Sequence, residues 1–239
     1  AGMDVGEIWG YRADRLFESD EEAALYPVDL SFFKAGNLWK AGDVRYEDVD
    51  GDGAVNPGKG TLEDHGDLVV IGNATPRFSF GINLSAGYKG LEVATLVQGV
   101  GKRDFPMAGS TYLFGGRNYF KDHLDRFSPE NPSGWLPRLT DGTGSGDLDW
   151  KVNTGYNTSR YLLNGAYVRL KNLMVSYSFS GNVLGKLRLR DLKIYVSCDN
   201  LLTLDALPGA FDPETMNIVS TWAGGSLSAA PGLTSALSQ

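Results

Sequence analysis

From Phe78 onward, apolar and polar residues take turns. Phe78, Phe80, Ile82, Leu84, Ala86 and Tyr88 share one parity, and Ser79, Gly81, Asn83, Ser85 and Gly87 hold the other. A period of two means an extended strand with one apolar and one polar face. A tilted strand crosses a bilayer in roughly 9 to 11 residues, apolar side chains toward lipid and polar ones toward the lumen, and this run matches in length as well as pattern. Lys89-Gly90 then predicts a short turn. The next run sets Leu91, Val93, Thr95 and Val97 against Glu92, Ala94, Leu96 and Gln98, a weaker alternation that completes a hairpin. Strand character returns between 160 and 179. There Ala166, Val168 and Leu170 share one parity, and Leu173, Val175, Tyr177 and Phe179 the other, so the phase flips near Lys171-Asn172. Either a β-bulge sits there or the strand leaves the membrane band and exchanges its apolar face. A turn at 181–185 leads to a fourth strand, in which Leu192, Ile194, Val196 and Cys198 alternate with Lys193, Tyr195, Ser197 and Asp199 before Asn200-Leu201-Leu202. Cys198 falls on the apolar parity, as an inert wall residue.

The remainder lacks a sustained period. Residues 1–47 mix Gly, Asp, aromatics and charges, and Ser19-Asp20-Glu21-Glu22-Ala23-Ala24 predicts a short capped helix. An acidic, Gly-rich segment at 48–67 ends where Leu68-Val69-Val70-Ile71 turns apolar. Residues 101–159 hold Pro106, Pro129, Pro132 and Pro137 among many Gly, Ser, Asp and Asn. So long a loop is abnormal in a compact domain and usually means function or disorder. An outer-membrane barrel is a third explanation, since such barrels pair short periplasmic turns with long external loops. The expected organisation is therefore an extracellular loop region over 1–76, a barrel hairpin at 77–101, a long extracellular loop at 102–159, barrel strands at 160–205, and a loop with an atypical C-terminus at 206–239.

Composition agrees with an all-β chain. It has 31 Gly among 239 residues and 11% aromatics, without long Leu/Ala/Glu/Lys helical stretches. A net charge of −7 with no dense Lys/Arg cluster excludes nucleic acid as a partner. One cysteine and two histidines supply too little for a disulfide framework, a zinc site or a Cys-His nucleophile pair. No apolar run approaches the roughly 20 residues of a transmembrane helix, which leaves β-strands open. The chain begins Ala1-Gly2-Met3-Asp4 with no basic and apolar leader, like sequence taken from the middle of a longer one.

The acidic segment carries the candidate chemistry. Asp48, Asp50 and Asp52 stand at positions 1, 3 and 5 of a calcium loop, Gly53 at the sharp turn, Ala54 where a carbonyl is offered, and Asn56 at position 9. Position 12 of an EF-hand would be a bidentate Glu; here it is Lys59. Closure must come from farther on, from Glu63, Asp64 or Asp67. Carboxylates packed this closely repel one another unless a cation neutralises them, so a structural calcium is expected, the alternative being a solvated acidic turn. Either way the loop supports and does not catalyse.

Other motifs dissolve. Gly53 to Gly58-Lys59 has phosphate-loop spacing, but Gly60 replaces the Ser/Thr and no strand precedes it. The pairs Asp147/Asp149 and Asp122/Asp125 have no fixed separation, which glycosidase chemistry needs. No nucleophile and base constellation marks an enzyme. Trp135, Trp150 and Trp222, with Tyr112, Phe114, Tyr119 and Phe120, lie in loop segments, where aromatics stack on sugars, fill loops or mark an interface.

Several segments in order resemble one family. They are Gly6-Glu7-Ile8-Trp9-Gly10-Tyr11-Arg12-Ala13-Asp14; Asp48-Val49-Asp50-Gly51-Asp52-Gly53; Ile71-Gly72-Asn73 with Pro76-Arg77-Phe78; Tyr88-Lys89-Gly90-Leu91; Gln98-Gly99-Val100-Gly101; Tyr167-Val168-Arg169-Leu170-Lys171-Asn172-Leu173; and Tyr195-Val196-Ser197 with Asp199-Asn200-Leu201-Leu202-Thr203. Over about 200 residues the chain resembles the C-terminal part of SusC/RagA-type TonB-dependent outer-membrane transporters of Bacteroidetes. The resemblance implies the C-terminal section of a large antiparallel transmembrane β-barrel with long extracellular loops, typically of about 22 strands around a plug. It implies outer-membrane lipid around the wall, a SusD-like surface lipoprotein above it, and TonB acting through an N-terminal region that would precede Ala1. Glycan or peptide uptake would be the function. Family members close with a strand ending in an aromatic; residues 226–239 show no alternation and end Ala236-Leu237-Ser238-Gln239. The alternatives are a secreted calcium-stabilised β-sandwich that binds glycans, or a truncated product without activity.

Overall fold

The computed structural model describes residues 4–33, 39–107, 120–139, 153, 155–179, 181, 184–185, 189–209 and 211–215. Strands dominate. In order they are β1 (Glu7–Gly10), β2 (Ala13–Leu16), β3 (Val44–Tyr46), β4 (Val69–Asn73), β5 (Arg77–Tyr88), β6 (Leu91–Lys102), β7 (Asp104–Pro106), β8 (Leu162–Asn164), β9 (Tyr167–Ser178) and β10 (Lys193–Asp205). The helix α1 spans Asp20–Leu25, where the sequence placed it, and the Ser19 side chain accepts from the Glu22 N–H at its N-terminus.

Two bodies arise from this order. The long strands make an antiparallel four-stranded sheet, β10-β9-β6-β5, in simple up-and-down succession. The short strands pair as β1-β4, β2-β3 and β7-β8 and frame a cap of loops. The cap has a true core: Tyr11, Phe17, Phe33, Trp39, Val44, Tyr46, Val55, Met107, Leu136 and Tyr161 are buried together. Aromatic rings dominate it, with Phe33 stacked on Tyr46 at 4.0 Å between centroids. Short strands within residues 1–47 were not legible in the sequence, because strands of three or four residues are too brief for a period to show.

The long sheet has no such core. Every residue of β5 is exposed, and Phe78, Ile82, Leu84, Tyr88, Ile194, Val196, Leu202 and Leu204 are all large, apolar and open. Pairing aligns these side chains into rows. Tyr88, Leu91, Tyr177 and Ile194 form one row across the four strands, and Ala86, Val93, Val175 and Val196 the next. Leu84, Thr95, Leu173 and Cys198 follow, then Ile82, Val97, Leu170 and Leu202, then Phe80, Gly99, Val168 and Leu204.

The turn is where the sequence placed it, and of the two readings of the phase flip the structure has the bulge. Lys89 and Gly90 have φ of 49° and 89°, the two positive values of a type I′ turn that suits strand twist. The register slips between Leu96 and Val97, so Asn172 faces Leu96 but Leu170 faces Val97, and Lys171 is the extra residue. That is the phase flip: Leu170 and Leu173 both reach the apolar face. β10 sets two residues, Asn200 and Leu201, opposite Lys171 alone between Asp199 and Leu202, Asn200 with a φ of 53°. The region from 160 is not one continuous strand, since Leu162–Asn164 pairs with Asp104–Pro106 in the cap and the wall strand starts at Tyr167. Here the run is broken at Gly165, whose N–H donates to Arg103 O.

One buried ion pair fixes the cap. Asp43 is 1% exposed; it accepts from Arg138 Nε at 2.6 Å, from Asn153 Nδ2 at 2.7 Å and from the Lys40 N–H at 2.9 Å. Asn153 in turn accepts from the Val44 N–H at 2.8 Å. Asp43→Ala would strand these donors and cost the cap about 3 kcal/mol. Hydrogen exchange at Val44 and Tyr46 should quicken while β6 and β9 keep their protection; equal loss in both bodies would show that they unfold as one.

Candidate functional site

The wall is the first candidate, because its faces differ in chemistry. Between the row of Phe80 and the row of Tyr88 the strand rises about 26 Å, or about 20 Å after a typical barrel tilt, close to the apolar band of a membrane barrel. Tyr88 and Tyr177 end this band on the side of the short turns, and Phe179 lies 5.0 Å edge-on to Tyr177. Gly99 lets Phe80 lie across its backbone: a Cβ there would stand 2.8 Å from Phe80 Cζ and 2.3 Å from Tyr167 O.

The opposite face is polar and cross-linked. Lys193 Nζ donates to Glu92 at 2.9 Å, and Asn172 Nδ2 donates to Ser197 at 2.9 Å and Asp199 at 2.8 Å. Near the cap end, residues 211–215 fold back over this face. Glu214 accepts from Gln98 Nε2 at 2.7 Å, Lys171 Nζ at 2.6 Å and Arg169 Nη1 at 2.9 Å. Asp212 accepts from Arg169 Nη2 at 2.8 Å, and Arg169 Nε donates to Thr203 Oγ1 at 2.7 Å. Sequence reading missed this cluster. Its partners lie on β6, β9, β10 and a following loop, so only pairing brings them together.

The acidic loop is the second candidate. Gly58 and Gly66 have positive φ and touch backbone to backbone, a Cβ on Gly66 standing 2.5 Å from Gly58 N, so the loop closes on itself. Oxygens of Asp48, Asp50 and Asp67 converge within 4.8 Å of one another. Asp67 is wholly buried and accepts from the Val49 N–H at 2.6 Å and the Asn56 N–H at 2.8 Å. Asp48 accepts from the Gly51 and Gly53 N–H groups, and Asp50 from the Asp52 N–H. Asp52 stands outside this group and accepts from the Ala54 N–H at 2.8 Å. Asp64 also stands outside, paired with Lys59 at 2.9 Å, and Asn56 Oδ1 accepts from the Gly58 N–H. The Asp52 N–H bond lowers the Asp50 pKa, but partial desolvation and the charges of Asp67, Asp52 and Asp48 outweigh it, so the net shift is upward. That is the signature of crowded negative charge. The donor set is all oxygen and suits a hard cation.

Of the loop aromatics, Trp135 packs on the cap core, 5.7 Å edge-on to Tyr161, and Phe120 lies 5.5 Å from His123. Asp122 and Asp125 share one tight turn, with the Asp125 N–H donating to Asp122 O. Asp147, Asp149, Tyr112, Phe114, Tyr119, Trp150, Trp222 and the C-terminal residues 226–239 lie outside the described residues. Among the described residues no helix is long and apolar enough to cross a membrane.

Comparison with known proteins agrees with the wall. No protein-family model matches the chain. TonB-dependent receptor P3 of Formosa agariphila is 29% identical over 214 residues, covering 89% of this chain and 19% of that protein. The similarity is to TonB-dependent receptors. TonB-dependent receptor P26 of the same organism is 27% identical over 219 residues, 90% of this chain and 20% of its own length. Among solved structures, the RagAB peptide transporter superposes with a TM-score of 0.53 at 18% identity, covering 92% of this chain and 20% of that one. The RagAB peptide importer in its open-open state gives 0.52 at 18% identity, over 87% and 20%. This chain therefore spans about one fifth of the TonB-dependent receptors it matches. Its fold is a section of the same antiparallel barrel.

The ion pairs set a pH dependence. At Glu22, burial alone would raise the carboxyl pKa, but Arg15, the Glu18 N–H and Arg45 hold it below the usual range. Arg169 and the Glu214 N–H do the same to Asp212, and Lys171 and Gln98 to Glu214. A depressed carboxyl contributes fully above its unfolded pKa of about 4 and loses that contribution as pH falls through its folded value. Thermal stability in detergent should hold from pH 7 to about 5 and decline below about 4, and Glu22→Gln should shrink the decline.

Proposed function

We propose that this chain is the C-terminal barrel section of a TonB-dependent importer of the SusC/RagA type. TonB-dependent receptors are outer-membrane proteins, and the outer membrane is this chain's place. The observation that carries the reading is the five aligned rows of apolar side chains on one face of β5, β6, β9 and β10, with polar residues on the other. A sheet built this way turns its apolar face to lipid and its polar face to a lumen. The β-sandwich reading would need a second sheet over that face, and among the described residues the cap core packs elsewhere.

In this role the wall guides and the loops recognise. The cargo would be a glycan or a peptide oligomer; the RagAB neighbours are named for peptides. A SusD-like surface lipoprotein would rest over the cap, and TonB would engage a region upstream of this section. The relatives are receptors and transporters, and the chain contributes transport and not turnover. Calcium would be a structural ion held by Asp48, Asp50 and Asp67, drawing the 48–67 loop against the cap.

Two expectations test this. Leu84 sits mid-band on the lipid face and Ser85 beside it on the polar face. A Lys near the bilayer midplane costs a barrel about 2–4 kcal/mol. Leu84→Lys should therefore lower the urea midpoint of the barrel in lipid, and Ser85→Lys should not; equal effects, or a folded monomer in water without detergent, would sink the membrane reading. Calcium should increase hydrogen-exchange protection across residues 48–67 and Asp67→Asn should abolish the gain, while unchanged protection on titration removes calcium.

A further inference from the structure

We infer that the polar face of the wall carries a carboxylate-binding site at Arg169, Lys171 and Gln98, with Thr203 orienting Arg169, closed by the chain's own Asp212 and Glu214, and that an oligomer bearing carboxylates opens it by exchange. The inference rests on reading this face as the lumen.

Three donors converge there from two strands, Arg169 and Lys171 of β9 and Gln98 of β6, while Thr203 of β10 holds the Arg169 fork in place. Arg169 presents its fork at the wall surface, and its side chain is only 6% exposed because residues 211–215 lie over it. Thr203 accepts from its Nε, leaving both terminal nitrogens for anions: one takes Asp212 at 2.8 Å and the other Glu214 at 2.9 Å. Lys171 and Gln98 complete the grip on Glu214, at 2.6 and 2.7 Å. Lys171 reaches this side because it is the extra residue of the β9 bulge. A planar fork with a flanking ammonium and amide is built for carboxylates.

The occupants are held less firmly than the donors. Asp212 and Glu214 keep 46% and 24% of their side-chain surface open, so their pairs are screened and individually weak. The donors are fixed in a hydrogen-bonded sheet. Behind the two acids, Leu207 and Phe211 pack on the cap core, with Phe211 6.1 Å from Phe105. The segment is thus anchored to the cap by apolar contact and to the wall by ion pairs and the Gln98 amide. An anionic oligomer entering from the cap side meets the same donors and can replace the two acids one carboxylate at a time. A site masked by its own ligand binds others more weakly by the fraction of time it is closed, so removing the mask tightens binding.

The test uses the whole receptor that carries this chain, in detergent, with Cys198→Ser and a nitroxide at Thr215→Cys. Hexagalacturonate and hexaglutamate are the probes, and the uncharged methyl ester of hexagalacturonate is the control. The label should be immobile alone and become mobile with a carboxylated probe but not with the ester. A response to hexagalacturonate alone assigns uronate glycans, a response to hexaglutamate alone assigns acidic peptides, and either supports the site. The D212N/E214Q double variant should be mobile without ligand and bind the active probe about tenfold more tightly, and R169Q should lose binding. An unchanged affinity in D212N/E214Q, or a label that stays immobile at saturating levels of both probes, overturns the inference. Heat-modifiable gel mobility reads barrel formation separately: no barrel overturns the lumen reading and this site together, and a formed barrel without exchange overturns the site alone.

Discussion

A strand lying in hydrocarbon has to bond every backbone N–H and C=O to a neighbouring strand, because no water is there to take them. That requirement shapes the wall. It keeps β5, β6, β9 and β10 in unbroken antiparallel succession over 12 or 13 residues each. It also makes register the decisive quantity, since a slip of one residue would carry a whole strand's apolar set to the polar face. The bulges obey this rule. β9 takes one residue more than β6 at Lys171, β10 one more than β9 at Asn200-Leu201, and past both the rows of Leu170 and Leu202 resume on the lipid side.

Above the wall the physics changes. The cap lies where water is available, so its backbone can run in short strands and loops, and it holds itself together as a soluble domain does. Its core is a cluster of interlocked aromatic rings around Tyr11, Phe33 and Tyr46. Burial has a visible electrostatic consequence there: desolvation pushes the Tyr161 hydroxyl up to about 12 and raises Tyr11 and Tyr46 further, so all three remain neutral at any working pH. Asp43 and Asp67 are buried charges there, Asp43 satisfied by Arg138 and Asp67 by backbone N–H groups.

Charge on the two bodies therefore serves different ends. In the cap, Asp43 with Arg138 and the three-way contact of Arg45 with Asp14 and Glu22 hold segments that are far apart in sequence. In the acidic loop, Asp48, Asp50 and Asp67 are gathered with like sign, an arrangement that backbone N–H groups support and a cation would complete. On the wall, Arg169 and Lys171 face acids from a loop that could equally face those of a ligand.

The amino-acid sequence by itself determined the wall. Alternation over 78–88 and 192–198, the Lys89-Gly90 turn and the short helix after Ser19 could be read directly, and the phase flip near Lys171 could be seen though not assigned to a bulge, because each depends on neighbours one to four residues away. It also marked Asp48, Asp50, Asp52, Ala54 and Asn56 as candidate ligands, since a calcium loop is a spacing pattern, and left the closing carboxylate open among Glu63, Asp64 and Asp67. Only the tertiary structure decided that Asp52 turns to the Ala54 N–H and Asp64 to Lys59. The cap core, the Asp43–Arg138–Asn153 network and the closure of Asp212 and Glu214 over Arg169 were likewise hidden. In the last two the partners stand 43 to 110 residues apart, and local pattern carries no information about which distant side chains a folded register will bring together.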